Sequence, residues 1–323
     1  MTAQAMAPMS QPTVTAIIAV RDGSPTIGDC LDAIVAQSYP ATSIMVVDDA
    51  STDDTVRVVR ERRDPIIELI ELADNVGPAE ARNLALTRVT TDYVWIVDAD
   101  CVPAPDCLAT LCAALSTDPA IGVVGGPNPQ NPRTSTYAAA AFDFSNRYLV
   151  DRAGPPTDVP YVVGANMLFR RAVIEQVGLY DPSLRIAEDF DLCVRARQAG
   201  WRVVFEPKGV SEHRHPRSTV ASYLRYQYKI GHYGCRFRLK HRAAVPFGRW
   251  YPTTPARAVL LAPVYVTLAL GRIVAKNVAV GAIRPLLWYL PLIALGQCWV
   301  VAGVIRGLAH MEDRSSSPRR ATA

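Results

Sequence analysis

The 323-residue chain has no Cys-x-x-Cys pair, no basic-then-apolar leader, no internal repeat, and not one acidic residue between Glu212 and Glu312. Each absence removes something. Cys101, Cys107 and Cys112 are the closest of the seven cysteines, and their spacing fits no common zinc pattern. Scattered thiols of this kind point to buried free cysteines in a reducing compartment rather than to a disulfide framework. The first twelve residues are small and polar, with neither a charged n-region nor an apolar h-region. No secretory leader is expected there, and residues 1–12 are expected to be disordered.

The missing acids skew the charge. Residues 1–212 hold 17 Lys and Arg against 28 Asp and Glu, a balance of −11, whereas residues 213–323 hold 17 against 2, a balance of +15. A basic C-terminal third alone would suit nucleic acid. Here the same stretch turns apolar, half the chain is hydrophobic and the mean hydropathy is +0.10. Basic beside apolar suits the cytoplasmic side of a membrane, so a membrane and no nucleic acid is the expected partner.

Residues 13–125 alternate strand and helix patterns. Strands are expected at Thr13 to Val20, Ser43 to Val47, Ile66 to Leu72, Tyr93 to Val97 and Ile121 to Val124. Helices are expected at Ile27 to Gln37 (after an N-cap at Ser24 and a proline at Pro25), Thr52 to Arg62, Pro78 to Val89 and Asp106 to Leu115. Such alternation implies an α/β fold with a mostly parallel sheet, whose ligands bind beyond the carboxyl ends of the strands. Residues 126–215 are less regular. Helices are expected at Tyr137 to Leu149, Arg171 to Val177 and Asp189 to Ala199, with extended chain from Val159 to Phe169 and a strand from Arg202 to Glu206.

A basic, aromatic amphipathic region is expected over 216–250, where Tyr223, Tyr226 and Tyr228 interleave with Arg225 and Lys229. Two apolar segments follow. Ala258 to Leu270 is short, with Arg272 and Lys276 after it; Leu286 to Ile305 has about the 20 residues a spanning helix needs, with Pro291 and Gln297 inside. Either two helices form a membrane hairpin or they lie in the interface. Arg249, Arg257 and Arg306 put both ends on the cytoplasmic side, while Arg272, Lys276 and Arg284 weigh against a simple hairpin. The expectation is a membrane-embedded or re-entrant hairpin over 256–308, a disordered tail over 309–323, and a catalytic part facing the cytoplasm.

The acids carry the chemistry. Asp98-Ala99-Asp100 ends an apolar strand, so two carboxylates one residue apart can share a hard divalent cation, Mg²⁺ or Mn²⁺, of the kind that bridges carboxylates to phosphates. Asp48-Asp49 closes an earlier strand, and Glu188-Asp189-Phe190-Asp191 comes later. Two acids before Ser51 exceed what capping a helix requires. Acids opening a helix at Glu188 suit its dipole in any protein, and Arg82 could serve a ligand or simply pair with an acid. His213 and His215 share one face of an extended segment.

In their order and composition, Val46-Val47-Asp48-Asp49-Ala50-Ser51-Thr52-Asp53, Asn75-Val76-Gly77-Pro78-Ala79-Glu80-Ala81-Arg82-Asn83, Asp98-Ala99-Asp100 and Glu188-Asp189-Phe190-Asp191-Leu192 resemble the family 2 glycosyltransferases. The resemblance covers most of residues 13–215. It implies a GT-A fold, Rossmann-like, with a nucleotide-sugar half at 13–125 and an acceptor half at 126–215. It also implies transfer of a sugar, with inversion, from a nucleotide-sugar to an acceptor hydroxyl. A UDP-sugar is the expected donor, and a saccharide or lipid-linked saccharide the expected acceptor, in cell-surface polysaccharide or glycolipid synthesis.

By the same resemblance Val20, Asp22, Asp49, Arg82, Asp98, Ala99 and Asp100 would bind the nucleotide-sugar, with Asp49 on the base. Asp100, Asp98 and His213 would hold the metal. Asp189 would be the general base, with Asp191 its rival and Glu188 beside it. The processive members carry Gln-x-x-Arg-Trp where this chain has Gln227-Tyr228-Lys229-Ile230-Gly231, a departure that argues against polymerisation through a channel. The alternatives are transfer onto polyprenyl phosphate and a non-catalytic nucleotide-sugar-binding subunit. A sugar-nucleotide pyrophosphorylase would need a Gly-rich loop that Val20-Arg21-Asp22-Gly23-Ser24 does not provide.

Overall fold

Strand β1 (Val14–Val20) shows how the sequence builds the sheet. Val14, Ala16, Ile18 and Val20 pack into one apolar cluster and Ile17 into another, so the strand is covered on both faces. A strand buried on both faces reads as a near-continuous apolar run, as this one does. The same division recurs in β4 (Tyr93–Val97): Tyr93, Trp95 and Val97 face one cluster, Val94 and Ile96 the other.

These assignments come from a computed structural model, which describes residues 11–130, 136–146, 154–214, 218–245, 248–279 and 281–316. The expected disordered residues 1–10 and 317–323 lie outside it. The remaining strands are β2 (Ser43–Asp48), β3 (Ile67–Glu71), β5 (Cys101–Pro103), β6 (Ile121–Gly125), β7 (Thr157–Asp158), β8 (Asn166–Arg170), β9 (Arg202–Phe205) and β10 (Ser211–His213). The helices are α1 (Ile27–Val35), α2 (Thr55–Glu61), α3 (Pro78–Leu86), α4 (Cys107–Ser116), α5 (Tyr137–Asn146), α6 (Arg171–Val177), α7 (Glu188–Gln198), α8 (Val220–Lys240), α9 (Pro255–Ala279) and α10 (Ile283–Ser316).

Eight strands form one sheet in the order β3-β2-β1-β4-β8-β6-β9-β7. The first four are mutually parallel, β8 runs antiparallel between β4 and β6, and β9 is parallel to β6. This is a GT-A fold, with a mostly parallel central sheet flanked by helices and two long apolar helices at its C-terminal end.

The differences from expectation have physical causes. Ser24 does not cap α1: its N–H donates to Asp53, and the helix begins after Thr26 with no side-chain cap. Of the expected 159–169 extended stretch only residues 166–169 join the sheet, in β8, because the chain turns at Gly164-Ala165. The two-stranded ribbon of β5 and β10 was not anticipated; each strand has three residues, and β5 ends in proline. Helix α9 runs through Arg272 and Lys276 because Ile273 and Asn277 face inward: Asn277 Nδ2 donates to Phe144 O at 3.1 Å. The tail expected to be disordered from 309 continues α10 to Ser316.

Candidate active site

The acids gather at the carboxyl edge of the sheet, beyond β1, β2 and β4. Three non-glycine residues among those described have positive φ, and all three adjoin or belong to the expected site: Asp22 (51°), Ala50 (57°) and Ala187 (68°). Each costs of order 1–3 kcal/mol, and such strain persists where surrounding structure over-determines it.

Arg82 is the hub. It lies on α3, buried, and its Nη1 donates to Glu188 Oε1 at 2.5 Å while its Nη2 donates to Asp98 Oδ1 at 2.8 Å. Burial by itself lowers the guanidinium's pKa, but the nearby Glu188 and Asp98 carboxylates outweigh it and raise it. This single side chain ties the end of β4 to the first turn of α7. Tyr180 lies under the guanidinium at 5.9 Å, held by Asn83, whose amide both donates to Tyr180 O and accepts from its N–H.

Asp189 sits beside Glu188. Its Oδ2 accepts from Gly164 N at 2.7 Å and its Oδ1 from Phe190 N at 2.8 Å. The next residue of the same turn, Ala165, accepts from Asp98 N at 3.3 Å. Asp98 and Asp189 are therefore brought to one turn from elements 91 positions apart. Burial, then the Glu188 charge, pushes the Asp189 carboxyl up to about 7. A carboxylate in that range can accept a proton near neutral pH.

Asp191, the rival, is spent elsewhere. It is fully buried, with Arg195 Nε at 2.8 Å from Oδ2 and Lys240 Nζ and His241 Nε2 each at 2.7 Å from Oδ1. Burial opposes its charge, but these partners hold its carboxyl below the usual range. It ties α7 to the end of α8.

Asp49 also turns inward. Its carboxylate accepts from Asn75 Nδ2 (2.5 Å), Val76 N (2.7 Å) and Gly77 N (2.9 Å), clamping the loop that opens α3. Gly77 permits that loop its φ of 92°. Val20 O accepts from Asp49 N at 2.8 Å, which fixes the two strand ends together. Asp22 Oδ1 accepts from Thr52 N and Oγ1, bonds that lower its pKa and fasten the loop after β1 to the one after β2. Ala99 packs at the edge of the sheet core.

Asp100 and His213 meet through the β5–β10 ribbon, whose register sets His213 opposite Cys101. His213 Nε2 is 3.3 Å from Asp100 Oδ1, and one ligand atom each from Asp100, Cys101 and His213 lies within 4.8 Å of the others. Cys101 offers a soft sulfur, which suits a hard cation poorly. A carboxylate and an imidazole fit Mn²⁺ or Mg²⁺ and leave positions for phosphate oxygens. Asp98, expected in the same set, is turned to Arg82 and is not in this cluster.

With that geometry in place, the comparisons with known proteins are decisive at the level of family. The model described as "Glycosyltransferase like family 2" matches residues 12–227. The chain belongs to glycosyltransferase-like family 2. Within the family it is 27% identical over 205 residues to the poly-beta-1,6-N-acetyl-D-glucosamine synthase of Staphylococcus aureus, covering 60% of this chain and 48% of that protein. It is 30% identical over 216 residues to the pre-mycofactocin glycosyltransferase of Mycobacterium tuberculosis, covering 62% and 43%. The chain thus spans about half the length of these relatives. Among solved structures, the mannosyltransferase PcManGT from Pyrobaculum calidifontis, in complex with GDP-Man and Mn²⁺, superposes with a TM-score of 0.61 at 24% identity, over 93% of this chain and 88% of that one. S. aureus TarS 1–349 in complex with UDP gives 0.53 at 16% identity, over 95% and 93%.

Several residues of this family 2 chain escaped the sequence reading. Gly164 supplies the N–H on Asp189 and has no side chain because a Cβ there would lie 3.2 Å from the Asp189 Cβ. Its only signal was a glycine inside the stretch expected to be extended from Val159 to Phe169. Lys240 and His241 looked like part of a membrane-facing basic run, Asn83 was seen only as the end of the Asn75–Asn83 motif, and Tyr180 gave no signal.

Proposed function

We propose that this chain is an inverting, metal-dependent glycosyltransferase that transfers a sugar from a UDP-sugar to a hydroxyl of a saccharide or lipid-linked saccharide at a cytoplasmic membrane surface. The observation that carries the reading is Arg82 joining Asp98 to Glu188 beside Asp189. It brings three acids from distant segments to one turn with one carboxyl poised near neutrality. Residues 13–215 form the catalytic domain in this reading, and 256–308 the membrane-associated part.

Asp189 takes the proton of the acceptor hydroxyl as that oxygen attacks the anomeric carbon. Gly164 N and Phe190 N hold the carboxylate in place, and Glu188 raises its basicity. Arg82 and Asp98 fix the donor side, while Asp49 contributes by setting the 75–77 loop against which the base would lie. Asp100 and His213 would hold a divalent cation, which when bound offsets the charge developing on the diphosphate leaving group. Gly231 stands where the processive relatives carry tryptophan, and α10 backbone fills the space beside it. That supports addition without channel-coupled polymerisation. The nucleotide in TarS supports UDP, and GDP-Man in PcManGT names the rival donor.

The test is a thermal-shift panel of UDP-, GDP- and dTDP-sugars with and without Mn²⁺, followed by assay of sugar release. One nucleotide class should stabilise the protein only with metal, and Asp100→Ala and Asp189→Asn should abolish turnover. Equal shifts in EDTA, or full turnover in Asp189→Asn, would overturn the reading.

A further inference from the structure

Helices α9 and α10 are each long and apolar enough to cross a bilayer, yet their packing is that of a hairpin laid flat. Both of its ends are held by the same body. At the turn, Tyr137 Oη of α5 donates to Trp288 O at 2.9 Å and Asn277 Nδ2 donates to Phe144 O. Leu286 and Ile293 pack there with Ala138 and Ala141. At the open end, Ala258 of α9 and Val304 and Leu308 of α10 pack with Cys235 of α8. The end of α8 is in turn bound to α7 through Asp191. A spanning hairpin separates its turn from its open end by about 30 Å of hydrocarbon. Helix α5 lies between strands of the central sheet in the chain, so a domain on one side of the membrane could not hold the turn on the other.

Charge gives a second, independent argument. Helix α8 runs beside α10 with backbones in contact: a side chain at Gly231, Gly303 or Gly307 would collide with the facing helix. Arg225, Lys229 and Arg236 stand exposed along α8. Carrying α10 through a bilayer would carry them too, at about 2.5–3.5 kcal/mol each near its centre. In α9 the uncharged stretch between Arg257 and Arg272 is only 14 residues, about 21 Å of helix.

What remains outward is apolar. Val259, Leu260, Val264 and Leu268 of α9 and Leu287 and Trp288 of α10 are each more than half exposed. The surrounding segment carries no acid from 213 to 311. We infer that the α9–α10 hairpin lies in the plane of a single anionic leaflet, with its turn on the same side as the catalytic domain. The occupant of the outward face is therefore lipid, attracted by the basic flanks and buried against the apolar face. This rests on the membrane association proposed above.

The test uses the full chain expressed in cells, with the exposed Cys298 replaced (Cys298→Ser). Single cysteines are introduced at the hairpin turn (Ala279→Cys), at a second nearby site (Ala275→Cys), and on α8 (Ala221→Cys). Spheroplasts and inside-out vesicles are treated with a membrane-impermeant maleimide. The inference expects the protein in the membrane pellet, with positions 275 and 279 reacting from the same side as position 221. Reaction from the opposite side, or only after detergent, overturns it in favour of a spanning or re-entrant hairpin. Recovery wholly in the supernatant overturns the membrane reading itself, an outcome distinct from the other two.

Discussion

Replacing Arg82 by methionine should expose how the site holds its acids together. Arg82 and Glu188 side chains are 7% and 10% exposed and in contact, so the variant leaves Glu188 buried without its cation. Breaking a buried pair from one side costs about 3–5 kcal/mol. Asp98 is 34% exposed and stays solvated, so its share adds little. The expected loss is about 3 kcal/mol at pH 8. It should shrink on acidification. Arg82 lowers the Asp189 pKa, so removing it raises that group further above its unfolded value. A raised carboxyl means the native state holds more protons than the unfolded one, and stability then falls as pH rises. Arg82→Met with Glu188→Gln removes both charges and should recover most of the deficit, giving a coupling energy of at least about 2 kcal/mol. Urea unfolding followed by tryptophan fluorescence at pH 5 and pH 8 reads all three quantities. A deficit under about 1 kcal/mol, one indifferent to pH, or a double variant no better than the single would refute the reasoning.

Asp189→Asn should lose activity yet unfold at pH 8 no more easily than the parent. The folded pKa of about 7 exceeds the unfolded value of about 3.9, so ionising Asp189 removes stability as pH rises through that window, by at most about 4 kcal/mol; melting curves at pH 5 and 8 check this. The kcat/KM of the parent should rise with pH toward a plateau above about 7, and a flat profile from pH 5 to 8 would count against Asp189 as base. Asp191→Asn should destabilise by about 3 kcal/mol, because it leaves Lys240 and Arg195 with a neutral partner; denaturant titration measures it, and a loss under 1 kcal/mol would show the clamp to be idle. Asp100→Ala and His213→Ala should each reduce the Mn²⁺-dependent thermal shift in UDP, Asp100→Ala more, while melting without metal stays within about 2 °C of the parent.

Strands β1, β2 and β4 were legible because a parallel sheet covered on both faces demands continuous apolar runs, and Tyr93 to Val97 is one. The ribbon of β5 and β10 was not, since three residues carry no period and Pro103 reads as a breaker. Yet that ribbon aligns His213 with Asp100, so the position of His213 came from resemblance and its reason only from the register. Charges misled in α9: Arg272 and Lys276 read as an interruption, whereas Ile273 and Asn277 face inward and leave the cationic positions outside. Arg195 is a local i,i+4 partner of Asp191, but its other two partners, Lys240 and His241, lie 49 and 50 residues away, beyond any local pattern.

The acids themselves explain why the pattern was legible at all. A region with a balance of −11 gathers many of its carboxylates at one sheet edge, and like charges so placed destabilise the folded state unless each is answered. The answers differ in kind. Asp98 and Glu188 share the Arg82 guanidinium. Asp191 has an ammonium, a guanidinium and an imidazole. Asp49 has three N–H groups from one loop. Asp189 is answered by raising its own pKa. Asp100 faces an imidazole, at a position open enough to admit solvent. Cations or N–H donors are thus built in where the acids hold the scaffold, while Asp100 lies beside an imidazole with which it could share a divalent ion. The same accounting separates the two carboxylates of the Glu188-Asp189-Phe190-Asp191 motif that sequence could not rank: one is fully compensated, and one is left basic.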